Sequence, residues 1–175
     1  MKQSAGLLPF RRTKGGLEVL LVHPGGPWFA KRDHRVWSIA KGEFTEGEES
    51  PFEAALREFH EETGLLPHSD AEFIFLGVRR QAGGKCIHAY AVEAEFPEEY
   101  VTSNTFTMEW PPGSGCMQSF PEVDRATWFP LKIAEEKLIP GQDGFLIDLV
   151  RALALDTPPQ CRPKTAKRES RRAAD

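Results

Sequence analysis

Three glutamates, Glu58, Glu61 and Glu62, sit at i, i+3 and i+4 in the run Arg57-Glu58-Phe59-His60-Glu61-Glu62. On a helix this spacing puts three carboxylates on one face. Phe52, Ala55, Leu56 and Phe59 also recur at helical spacing, and at about 100° per residue they fall on a different face. One side of such a helix can bury while the other concentrates negative charge. Like charges at i,i+4 repel, and Arg57, the i,i+4 partner of Glu61, offsets part of that cost. A divalent cation would offset far more. Carboxylate oxygens suit Mg²⁺ or Mn²⁺, ions that also bridge substrate phosphates. An acidic face left to solvent is the alternative, and the surrounding residues decide between the two.

The helix that must carry these acids is well marked. Ser50-Pro51-Phe52-Glu53 combines an N-cap serine, a proline at the first helical position and a glutamate three residues after the cap, and Gly64 supplies the stop. Before it, residues 5–10 are small and apolar, and Arg11 to Gly16 reads as a polar turn. Leu17 to His23 is a strand candidate ended by Pro24-Gly25-Gly26-Pro27, residues 28–35 read as a loop, and Val36 to Ile39 as a short strand leading into Lys41-Gly42. After the helix, Ile74 to Val78, Ile87 to Phe96 and Ala126 to Phe129 read as strands, Ile133 to Leu138 as a short helix, and Phe145 to Leu155 as a closing amphipathic helix. Residues 97–121, rich in Pro, Gly and Ser, read as an excursion from the sheet.

The 175 residues suffice for one domain with a proper core and are too few for two large ones. With hydrophobic residues at 40%, charged residues at 27% and a net charge of -4, the chain has an ordinary globular balance, and its acidity argues against a dedicated nucleic-acid binder. No apolar run approaches the roughly 20 residues of a membrane span, and Met1 to Ala5 lacks a secretory h-region. Cys86, Cys116 and Cys161 are widely spaced and odd in number, so the expectation is a reducing, cytoplasmic setting. From Asp156 the chain loses large apolar residues and gains Pro, Lys and Arg. The expected organisation is a domain over 1–155 followed by a basic, disordered tail over 156–175.

Gly42 to Glu49, seven further residues, and then Arg57-Glu58-Phe59-His60-Glu61-Glu62-Thr63-Gly64-Leu65 closely resemble the Nudix box, G-x5-E-x7-R-E-U-x-E-E-x-G-U, where U is bulky and apolar. Every specified position from Arg57 to Leu65 matches. The first half departs: if Glu49 is the leading acid, as its distance from Arg57 requires, six residues follow Gly42 instead of five. One residue is inserted in the loop before the helix. The resemblance implies an α/β fold, an α/β/α sandwich around a mixed β-sheet.

It also implies a pyrophosphohydrolase that uses Mg²⁺ or Mn²⁺ and an attacking water. By resemblance, Glu58, Glu61 and Glu62 hold metal or orient the water, the Gly42 region offers a backbone carbonyl, and Arg57 positions the acids with Glu49 as its ionic partner. Metals neutralise a polyphosphate's charge, hold it in line and acidify a bound water. The general base in several relatives lies outside the box, before a late strand. Glu122, in Phe120-Pro121-Glu122-Val123-Asp124, occupies a comparable place.

The approach Ile39-Ala40-Lys41-Gly42 lacks the Pro-Gly-Gly of many relatives. It resembles the branch acting on diadenosine and diphosphoinositol polyphosphates, as do the Glu122–Trp128 spacing and Gly141-Gln142 before Phe145-Leu146. Lys31, Arg32, His34, Arg35 and Lys41 can form a basic rim for a phosphate chain, or be ordinary surface charge. Trp28, Phe29 and Phe106 can stack on a base or join the core. His23, His60, His68 and His88 show no metal-ligand spacing and read as structural or exposed, and Cys86 as a buried small hydrophobe. The expected partner is a nucleotide or dinucleotide polyphosphate, with no membrane. Alternatives are a MutT-like nucleoside triphosphate pyrophosphohydrolase, an enzyme of RNA 5′ ends, and a catalytically silent binding module.

Overall fold

The computed structural model describes residues 3–81, 83–97 and 101–155. The basic tail and Cys161 lie outside the described residues. Eight strands and three helices follow in the order β1 (Gln3–Thr13), β2 (Gly16–Pro24), β3 (Ala40–Phe44), α1 (Pro51–Thr63), β4 (Phe73–Arg80), β5 (Cys86–Glu93), β6 (Thr105–Glu109), β7 (Met117–Pro121), β8 (Val123–Pro130), α2 (Leu131–Lys137) and α3 (Asp143–Leu155).

The main sheet runs β4-β5-β1-β2-β8, with β3 also on β1. Strand β1 is parallel to β5, and the other pairs of this sheet are antiparallel, so the sheet is mixed. One edge of β1 is divided: Gln3–Leu7 pairs with β3 and Phe10–Thr13 with β2. Because side chains alternate, β1 feeds two cores. Leu8 and Phe10 pack with Ala134, Phe145, Leu146 and Leu149 of α2 and α3, whereas Leu7 packs with Phe59 of α1. Helices on both faces make the α/β/α sandwich expected from the sequence. Among the described residues, no helix is long and apolar enough to cross a membrane.

Four expectations are corrected. Arg11–Thr13 belong to β1 instead of a turn, since β1 is covered on both faces and its unalternating run Leu7-Leu8-Pro9-Phe10 gives no period-2 signal. Val36–Ile39 is no strand. The Trp37 N–H goes to the Lys137 carbonyl, that of Ser38 to Val22 and that of Ile39 to the Gln142 side chain, so no single neighbour offers a ladder. The excursion leaves the main sheet as expected, but it contains the two-stranded hairpin β6–β7. Cys86 is half-buried at the end of β5 instead of fully buried.

Candidate functional site

Helix α1 starts as its sequence dictates. The Ser50 hydroxyl accepts from the Glu53 N–H at 3.2 Å, and the Glu53 carboxylate accepts from the Ser50 N–H at 2.9 Å. Ala54, Ala55, Phe59 and Thr63 are buried, which fixes the rotation of the helix and leaves Glu58, Glu61 and Glu62 half-buried on its other side.

Strand β3 passes directly against those acids. The Lys41 N–H donates to Glu62 Oε2 at 3.0 Å. A Cβ at Gly42 would fall 1.9 Å from the Glu58 carboxylate, so only glycine admits this approach. The inserted residue is absorbed in the turn at 45–48, where the Glu48 N–H donates to the Thr45 carbonyl and Gly47 takes φ 95°. Glu49 thereby keeps its place: Arg57 donates to its carboxylate at 2.7 and 3.1 Å. The same guanidinium reaches Glu58 Oε1 at 2.7 Å and Glu61 Oε2 at 3.2 Å.

Burial pushes the Glu62 carboxyl up to about 7, with the charges of Glu58 and Glu122 adding to the rise and Lys41 opposing it. Burial also raises Glu58, against the pull of Arg57, and lowers the Lys41 ammonium, against the pull of Glu62. Arg57 is held more firmly protonated, foremost by Glu49. Glu122 stands exposed at the junction of β7 and β8, and its charge adds to the rise at both Glu58 and Glu62. Its backbone is fixed at both ends, the N–H donating to the Asn104 carbonyl and the carbonyl accepting from the Gly25 N–H. Asn104 in turn donates to the Glu61 carbonyl at 3.0 Å, tying the root of the hairpin to α1.

Among the described residues, no three acidic, histidine or cysteine side chains already converge on one coordinating point, and Arg57 Nη1 lies between Glu58 and Glu61. The donor set nevertheless fits a hard divalent ion: several carboxylates, partly desolvated and mutually repelling, beside a backbone that glycine keeps open.

The basic residues divide. Arg32, His34, Arg35 and Lys41 line one cavity of about 480 Å³ with Pro24, Phe29 and Ser38. Lys31 and Trp28 do not line it. Trp28 lies 57% exposed, edge-on to Trp110 with ring centroids 5.0 Å apart. Phe106 packs against Gly26 and Phe120 in the hairpin. His60 and His68 are exposed and His88 is half-buried beside Gln3, whereas His23 is fully buried with polar partners on both ring nitrogens. Asn104 and Asp124 were not singled out by the sequence, because their partners come from remote segments that no local pattern announces.

An acidic helix face, a glycine-opened strand and an adjoining basic cavity define a divalent-metal phosphohydrolase site. The family model of the NUDIX domain matches residues 1–149. The chain belongs to the NUDIX family, as a hydrolase of phosphoanhydride bonds, and hydrolases of this family use divalent metal ions. No curated protein sequence matches it. Among solved structures, a C. elegans Ap4A hydrolase in a binary complex shares 22% identity at a TM-score of 0.58, over 88% of this chain and 98% of that one. The NUDIX domain of Shewanella oneidensis NrtR complexed with ADP ribose shares 17% at 0.59, over 86% and 87%. A NUDIX hydrolase from Listeria monocytogenes shares 18% at 0.60, over 89% and 96%. At these identities the likeness is one of fold.

Proposed function

We propose that this chain hydrolyses a phosphoanhydride bond in nucleoside polyphosphates, with dinucleoside polyphosphates such as diadenosine tetraphosphate preferred, in the presence of Mg²⁺ or Mn²⁺. The observation that carries this reading is the single strip formed by Glu58, Glu62, Lys41 and the basic cavity. Lys41 belongs to both halves, with its N–H on Glu62 and the residue itself in the cavity wall. A substrate with a long phosphate chain meets carboxylates at one end and cations along the rest.

When bound, the divalent ion neutralises phosphate charge and favours ionisation of a bound water. Glu58, Glu61, Glu62 and the Gly42 carbonyl hold it. Arg57 fixes the acids through Glu49 and is in reach of two of them. Glu122, anchored through its backbone, accepts the proton of the attacking water. The water oxygen then forms the new P–O bond as the anhydride P–O bond breaks. Arg35 and Lys41, with Arg32 and His34, bind the remaining phosphates, Lys31 adds charge outside the cavity, and exposed Trp28 stacks on a base. The Lys41-Gly42 approach favours the dinucleotide.

We assign the hydrolase unit to residues 1–155. We infer a reducing, cytoplasmic setting from three cysteines that are widely spaced and odd in number.

The test is turnover of a panel with Mg²⁺: diadenosine tetraphosphate, nucleoside triphosphates, ADP-ribose and a diphosphoinositol phosphate, with products separated by chromatography. Conversion of diadenosine tetraphosphate to ATP and AMP is the expected result. Pyrophosphate released from triphosphates alone would move the chain to the MutT-like class, and nucleotide binding without turnover would make it a binding module.

A further inference from the structure

His23, the penultimate residue of β2, touches none of the box acids, yet it is fully buried and polar on both sides. Its Nδ1 lies 2.6 Å from Asp124 Oδ1, and its Nε2 lies 2.7 Å from the Arg32 carbonyl oxygen. A carboxylate and a carbonyl are both acceptors. Neutral imidazole has one N–H and presents a lone pair at its other nitrogen, which either acceptor would repel at such a distance. Only the imidazolium donates to both at once.

Strands β2 and β8 already pair at this point, His23 opposite Arg125, and the ring adds a bond from that pair to the loop. Arg32 belongs to the loop that gives Phe29, Arg32, His34 and Arg35 to the basic cavity. Asp124 follows Glu122 by two residues at the start of β8. The ring also meets Trp37 edge-on at 4.9 Å. The charged groups about the His23–Trp37 ring pair are Asp124 and Arg125 from β8, Arg32 and Asp33 from the loop, and Lys137 from α2. Arg125 lies over the Trp37 ring, while Trp37 Nε1 and Lys137 both donate to Asp33. Asp124 is the anion in direct contact with the imidazole.

We propose that His23 is a buried imidazolium clamp that positions the 25–35 loop, holding its cations where a polyphosphate meets them. It is a positioning residue, and the inference rests on the reading above that the cavity receives phosphates. The clamp needs two protons on the ring. A ring with one proton keeps only one of its two bonds, to the loop or to Asp124.

The experiment uses the full chain labelled with ¹⁵N-histidine. At pH 7 both ring nitrogens of His23 are expected to carry protons in the NMR spectrum. A single protonated nitrogen would overturn the clamp whatever the substrate. Equilibrium dialysis then gives the dissociation constant of Mg²⁺–tripolyphosphate for the wild type, His23→Gln and Asp124→Asn. Glutamine donates through one nitrogen only, so His23→Gln should bind roughly ten-fold more weakly, as expected for losing a charge-assisted hydrogen bond. Asp124→Asn, which keeps the acceptor but not the charge, should fall between and covers the case of a misfolded His23→Gln. Wild-type affinity in both variants would overturn the proposal. No tripolyphosphate binding by the wild type would overturn the phosphate reading of the cavity, independently of the ring's protonation.

Discussion

The acid face of α1 and the basic cavity beside it are built in contrasting ways. The acids are held by neighbours in sequence: a capping box, a helix whose buried face fixes its rotation, and one arginine shared among Glu49, Glu58 and Glu61. The cavity is held by separations of chain. His23 reaches Asp124 across 101 positions, and Gln142 fixes the Ile39 N–H across 103. Local construction gives one stiff arrangement of carboxylates, suited to a reaction that tolerates little misplacement. Remote construction lets the cavity wall vary while the chemistry stays. Variants of the two regions should therefore fail differently, the acid face in kcat and the cavity in KM.

Among Gly42, Arg57 and Arg35, the largest effect is expected at Gly42. Gly42→Ala places a methyl 1.9 Å from the Glu58 carboxylate, so that carboxylate must swing out of its place beside β3. We expect kcat/KM for diadenosine tetraphosphate to fall roughly a hundred-fold, with little change in stability in urea titration. Arg57→Ala comes next. It frees three carboxylates to repel one another, and steady-state kinetics should show kcat down by roughly ten- to a hundred-fold with KM changed much less. Arg35→Ala removes one cation of the cavity and should raise KM about five- to ten-fold while sparing kcat. A fall in kcat of the same size would erase the distinction between the two regions.

The smallest effect concerns stability and runs the other way. Glu62 is pushed up to about 7 by burial, so ionising it costs the folded state. That cost is absent below about pH 4.5, grows through pH 7 and is fully present above it. Glu62→Gln keeps an acceptor for the Lys41 N–H and drops the charge. In calorimetry of the metal-free protein it should gain about 1–2 kcal/mol at pH 8 and nothing at pH 4, the pattern of an active site that trades stability for chemistry.

The same contrast governs what could be read from the sequence. Helix α1, its cap, its acids and the Glu49–Arg57 pair were legible because each is written within one or two turns of chain. The sandwich followed from the resemblance to the Nudix box, with which the order of elements agrees. Strand β1 was hidden because burial on both faces erases alternation. Val36–Ile39 misled because an apolar run resembles a strand until its N–H groups are traced to three separate partners. Of the candidate substrate-binding residues, Arg35 and Lys41 reach the cavity while Lys31 and Trp28 do not, and for those in the 25–35 loop the turn of that loop decides it. His23 showed no ligand spacing, and its role depends on Asp124 and Arg32, which only the fold brings to it.

The most direct test of the account is kcat for Glu62→Gln against the wild type, with Mg²⁺ and diadenosine tetraphosphate, on protein shown by circular dichroism to be folded. The account predicts a loss of roughly a thousand-fold with the fold intact, because the substitution removes charge from the metal-holding face and leaves the shape unchanged. Equal rates in the two proteins would contradict it, and would mean that the chemistry is not performed on α1.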